Sequence, residues 1–126
     1  MAKAISQRKL DAWKREWQKK LRLQDWRIKV RFSPKAILQE RTGVEGAVGC
    51  CSHHEEAKAA EIDILRPEDW DAEFNKRQQD VEDTIVHELL HCHFAAFRGG
   101  ERATQLAIEQ IIETVTEAIL NEKRRK

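Results

Sequence analysis

The stretch that most restricts how this chain can fold is His87-Glu88-Leu89-Leu90-His91. On a helix each residue advances by about 100°, so His87 and His91 project from one face, one turn apart, where two imidazoles can grip one metal ion. Glu88 lies a step round the same face, placed as the base for a water molecule that the metal polarises. Zinc suits such an imidazole pair, and an open zinc site takes three protein ligands. The third ligand has to come from another part of the chain, so the fold must bring a second element against this helix.

Three sources of that ligand stand nearby. Cys92 lies about 140° round the helix from His87 and is read as a small buried side chain. His93 lies about 200° beyond His91, on the opposite side, and is read as a structural or surface histidine. Glu109 and Glu113 are better placed. If Gly99-Gly100 reverses the chain, reflection about that point puts position 108 level with His91 and position 112 level with His87, so the two glutamates fall within a residue of the histidines. They sit one turn apart on an otherwise apolar helical face, where a buried carboxylate is costly unless a cation or a donor meets it. Glu109 is therefore expected as the third ligand, and Glu113 as the acceptor for the free ring nitrogen of His87, fixing its tautomer. Exchange of these two roles is the alternative.

The rest of the chain supplies a scaffold. From Ser6 to about Arg22, Leu10, Trp13, Trp17 and Leu21 recur at helical spacing, with Ser6 as cap, and the two tryptophans are read as packing. Asp25 to Ser33 alternates strictly, Trp26, Ile28, Val30 and Phe32 against Arg27, Lys29 and Arg31, which predicts a half-buried strand ending at Pro34. Lys35 to Thr42 is ambiguous between loop, turn and frayed strand. Val44 to His53, with glycine bends, and Ala60 to Leu65 predict a hairpin. Arg66 to Trp70 reads as a loop and Asp71 to Asn75 as a helical turn. The histidine helix is expected to start between Lys76 and Asp80 and to run to Phe97, with a glycine stop at Gly99-Gly100. A last helix, from about Glu101 or Thr104 to Asn121, is expected to turn Leu106, Ile108, Ile111, Ile112, Val115 and Ile119 inward, leaving residues 123–126 as a frayed basic tail.

With 126 residues, the chain suits one domain spanning 1–126, and 40% apolar with 36% charged residues describes a globular protein. No apolar run approaches the roughly 18 residues of a membrane span, and no signal-peptide core precedes the charged stretch, so a cytoplasmic location is expected. Cys50, Cys51 and Cys92 match neither a disulfide framework nor a zinc ribbon. Residues 1–35 carry twelve basic and three acidic side chains, while residues 36–122 carry seven and nineteen. The first reading is a basic helix solvating the face of an acidic body. A weak nucleic-acid contact through that helix is the second.

Taken together, the HExxH helix, the downstream Ile108-Glu109-Gln110-Ile111-Ile112-Glu113 helix and a preceding strand pair resemble the zincin fold in its gluzincin form. The stretches Asp25-Trp26-Arg27-Ile28-Lys29-Val30, Glu61-Ile62-Asp63-Ile64 and Thr84 to His91 make the chain similar to small metallopeptidases encoded by phages and prophages. That resemblance implies an α+β, minimal zincin-like fold: an N-terminal helix, a small three-stranded mixed sheet, the active-site helix and a C-terminal helix. It also implies Zn2+, a peptide or protein substrate laid along an edge strand of the Val44 to Leu65 hairpin, and the host cytoplasm as location. Gluzincins commonly use Tyr or His to stabilise the oxyanion, but this chain has no Tyr; His53, His54, Arg98 and Arg102 are the candidates. The alternatives are a SprT-like protease acting on DNA-associated proteins, an accessory or binding protein with a structural metal, and a zinc hydrolase of a non-peptide substrate. Against the SprT-like form, no histidine follows His93 and no cysteine-rich ribbon lies downstream.

Overall fold

Three segments of alternating apolar and polar side chains form a sheet. In the computed structural model, which describes residues 4–97 and 99–125, they are β1 (Arg27–Ser33), β2 (Gly49–His54) and β3 (Ala59–Leu65). β3 lies in the middle, parallel to β1 and antiparallel to β2, so the mixed sheet has β2 as an edge strand. A parallel pair needs a crossover, and here α2 (Lys35–Thr42) and the loop after it form part of that connection. The chain is α+β, with the remaining helices being α1 (Gln7–Lys20), a single turn α3 (Ala72–Asn75), α4 (Val81–His93) and α5 (Arg102–Arg124).

Alternation puts Ile28 and Val30 of β1 and Ala60, Ile62 and Ile64 of β3 on one face of the sheet. Leu10 and Trp17 of α1, Ile85, Val86 and Leu89 of α4, and Ile108, Ile112 and Leu120 of α5 complete a single main core with them. Each fully buried aliphatic side chain contributes roughly 1.5–3 kcal/mol, enough in sum to hold α4 in place under the sheet. Trp17 is buried and Trp13 packs at the margin, with Lys9 and Lys20 seated over the Trp13 and Trp17 rings. On the other face Leu38 of α2 joins Cys50 and Leu65 in a small second cluster. Beside it Asp63 is fully buried, accepting from Arg31 Nε at 2.8 Å, Arg41 at 2.8 Å and Ser33 at 2.6 Å. A charge out of water is tolerated there because donors meet both carboxylate oxygens. No helix among the described residues is long and apolar enough to cross a membrane.

Several boundaries differ from expectation for local reasons. Lys35 to Thr42 is a helix, closed by Gly43 at φ 69°, because Leu38 finds an apolar seat against the sheet. β2 begins at Gly49 and not at Val44, which is exposed; Gly46 at φ 81° bends the chain before pairing starts. α4 starts at Val81, where the Asp80 carboxylate accepts from the Asp83 amide, and stops at His93, followed by a 3-10 turn over Ala95–Phe97. α5 extends past Asn121 to Arg124, so these residues do not fray: Lys123 bonds Glu16 and Glu82, and Arg124 bonds Asp80 and Glu82; Lys126 lies outside the described residues. α5 buries Ile108, Ile112, Thr116 and Leu120, one residue per turn. Leu106, Ile111 and Val115, expected inside, lie on the outer side, and Phe97 is exposed too.

Candidate metal centre

The site is assembled by two helices that meet across the 99–100 turn. α4 turns His87, Glu88 and His91 towards α5 and β2, and α5 presents Glu109 at the same level. His87 Nε2 lies 2.6 Å from Glu109 Oε1, and His91 Nε2 lies 3.3 Å from Glu109 Oε2. The two imidazole centroids are 5.3 Å apart. One ligand atom each from His87, His91 and Glu109 lies within 4.8 Å of the others, the one such group of three among the described residues. Tetrahedral zinc with bonds of about 2.0–2.1 Å needs ligand atoms roughly 3.3 Å apart. The His91–Glu109 pair stands at that spacing and the His87–Glu109 pair is shorter, and two imidazoles with one carboxylate are a suitable donor set for zinc.

Electrostatics distinguish the members. Burial alone would lower the His87 pKa, but the Glu109 hydrogen bond and the charges of Glu88, Glu109 and Glu113 outweigh it and raise it. Hydrogen bonds from His87 and His91 hold the Glu109 carboxyl well below the usual carboxylate range. Glu88 is only 7% exposed, and burial pushes its pKa up despite the nearby histidines. No hydrogen-bond donor among the described residues reaches its carboxylate. It is a buried carboxylate with raised proton affinity beside three converging ligand atoms.

β2 makes the enclosure close. A Cβ on Gly49 would stand 2.6 Å from Thr84 Cγ2 and 2.9 Å from Glu88 Oε2, so only glycine lets the strand backbone lie this near the helix. Gly49 reads from sequence as a bend; an isolated glycine at the start of a strand is the available signal of close approach. On the Gly49 side the triad opens into a cleft of about 710 Å³, with Asp83, Thr84 and Glu88 from α4 and Glu113, Thr116 and Glu117 from α5 among its lining residues. On the far side a second cleft of about 370 Å³ is lined by His91, Phe94, Gln105 and the β2 residues Cys51 to His54.

The other candidate residues fall as follows. Glu113 lines the larger cleft but makes no hydrogen bond to His87 among the described residues; it acts on that ring only through its charge. Instead the His87 Nε2 faces Glu109. His53 and His54 line the smaller cleft beside His91. Arg102 is exposed in the first turn of α5 and lines neither cleft, and Arg98 lies outside the described residues. His93 points away, its Nε2 donating to the Leu21 carbonyl at 2.7 Å and tying the end of α4 to α1. Cys92 is buried with its sulfur 4.0 Å from that of Cys51. The Cys92 thiol and burial push the Cys51 pKa up, which keeps that thiol protonated and unreactive. Compared with known proteins, the chain matches no family model, no curated protein and no solved structure.

Proposed function

We propose that this chain is a zinc-dependent metallopeptidase with a minimal zincin-like arrangement. One observation carries the reading: His87, His91 and Glu109 converge from two helices while Glu88, buried and without a donor among the described residues, stands beside them. His87, His91 and Glu109 would hold the zinc, and Glu88 would be the general base. Zinc, when bound, supplies Lewis-acid polarisation of a carbonyl and lowers the pKa of water.

The chain's own groups account for the remaining steps. Glu88, with its raised proton affinity, is suited to take a proton from the attacking water and later to pass it to the leaving amine. Glu109, presented by α5, lies level with both imidazoles and faces their Nε2 atoms. Gly49 lets the strand backbone lie against the helix beside Glu88. β2 is the edge strand, and its two ends line the two clefts that flank the triad. An extended peptide added to that edge by main-chain hydrogen bonds would pass the triad with side chains available to both clefts. Besides His91, the basic groups lining the cleft on that side are His53 and His54, the candidates to serve a developing oxyanion there.

Metal analysis and an unbiased cleavage assay test this together. The purified protein is expected to hold about one zinc per chain, and Glu88→Gln to keep the zinc while losing turnover of casein or a peptide library. A folded protein that takes up no zinc would sink the site. Zinc retained with no turnover in either form would leave a structural metal.

A further inference from the structure

We propose that the cleft on the Gly49 side of the triad is a subsite for a cationic side chain, a lysine or arginine of the substrate. This deepens the peptidase reading and rests on it. Asp83 from α4 and Glu113 and Glu117 from α5 line the cleft, in addition to Glu88 and Glu109, and beside His87 of the triad Arg77 is the one basic residue among the lining side chains. A zinc ion at the triad would offset Glu109 and Glu88. It would leave Asp83, Glu113 and Glu117 facing a single guanidinium.

None of those three carboxylates has an ion pair or a hydrogen-bond donor to its side chain among the described residues. Asp83 is half-buried and Glu113 and Glu117 are exposed, whereas Asp80 and Glu82, nearer the start of α4, are both met by cations of α5. Nor do the three converge on a point as metal ligands would: His87, His91 and Glu109 form the one compact group of that kind among the described residues. An extended cation with several donors fits a spread of carboxylates better than a second ion does.

Thr116 supplies an independent observation. It is 2% exposed, it lines the same cleft, and its Oγ1 has no hydrogen-bond partner among the described residues. A buried hydroxyl without a partner is costly, and an ammonium or guanidinium entering between Glu113 and Glu117 would bring it a donor. The direction of β2 also decides which substrate residue enters. A peptide paired antiparallel to β2 runs from the His54 end towards Gly49, so the side chain entering this cleft belongs to the C-terminal side of the scissile bond.

The test uses zinc-loaded Glu88→Gln protein and matched synthetic peptides carrying lysine, norleucine or glutamate at one position, with affinity measured by calorimetry. The lysine peptide is expected to bind roughly three- to tenfold tighter than the norleucine peptide, with glutamate weakest. The preference should shrink as ionic strength rises. Adding D83N, E113Q and E117Q should erase the preference while zinc content and thermal midpoint hold. Equal affinities, or a lysine preference that survives all three substitutions, overturn the subsite. Mapping the cuts that the wild-type protein makes in a peptide library separates the two readings. A lysine preference in binding without any cleavage supports the subsite and sinks the peptidase. Cleavage before apolar or acidic residues keeps the peptidase and overturns the subsite.

Discussion

Asp80 and Asp83 are one helical turn apart, yet their carboxyls move in opposite directions. Arg124 holds Asp80 below its usual value, whereas burial and the charge of Asp80 push Asp83 up. The same contrast runs along the whole α4–α5 pair. At the end where α4 begins and α5 finishes, Glu82 accepts from Trp17 Nε1 at 2.7 Å, from Lys123 and from Arg124, and its pKa falls although burial opposes the fall. Around the triad, Glu88 is buried with no cation but the histidines, and its pKa rises. The first region uses its charges to join three helices, while around the triad only the two histidines meet Glu109 and no donor among the described residues reaches Glu88. Two carboxylates on one helix can thus be told apart by what meets them.

The contrast can be broken from either side. The largest effect is expected at the triad: Glu88→Gln should lower turnover by about 10²- to 10⁴-fold with zinc retained. His91→Ala should instead abolish stoichiometric zinc, as read by metal analysis. At the paired end, Glu82→Ala leaves Lys123 and the Trp17 indole without their acceptor. Breaking a buried pair costs about 3–5 kcal/mol, and the partial exposure of Lys123 reduces this to roughly 2–3 kcal/mol, seen as a lower urea midpoint with zinc content unchanged. Gly49→Ala forces a methyl group against Thr84 and Glu88 and should cost roughly 1–3 kcal/mol, with turnover falling as well if Glu88 is displaced.

The smallest effect is the most diagnostic. Asp80→Asn keeps a capping side chain but loses the Arg124 pair, so at neutral pH it should destabilise by about 1 kcal/mol or less. Asp83→Asn should be neutral or slightly stabilising, because it removes a carboxylate whose ionised form is disfavoured. The sign follows from linkage. A depressed carboxyl such as Asp80 or Glu82 contributes stability above its unfolded pKa of about 4, lost as pH falls through the lower folded value. A raised carboxyl such as Asp83 carries a penalty above its folded pKa that is relieved as pH falls through it. Thermal midpoints of the two variants should therefore converge as the solution is acidified below the carboxylate range, and equal midpoints at neutral pH would contradict the contrast.

Much of the site is legible in the order of residues. Helical period alone places His87, Glu88 and His91 together, and the Gly99-Gly100 turn puts Glu109 at their level, where it bonds both rings. Strict alternation marks β1, and the hairpin follows from its turn. The expected bond from His87 to Glu113 does not form, because counting residues from a turn fixes the level along a helix but not the rotation of its face. That same rotation turns Leu106, Ile111 and Val115 outward, so the apolar stripe of α5 is narrower than its sequence suggests. α2 is unreadable from sequence because its single seated leucine gives no period.

The order of residues by itself determines which side chains share a face, since that depends on backbone geometry within one element. Tertiary structure alone decides which faces meet. Only packing brings Lys123 and Arg124 of the last helical turn to Glu82 and Asp80, and leaves Asp83, Glu113 and Glu117 around a cleft whose one lining lysine or arginine is Arg77. A carboxylate carries the same charge in either place; its partner comes from residues about forty positions away, and that distance is closed by the core.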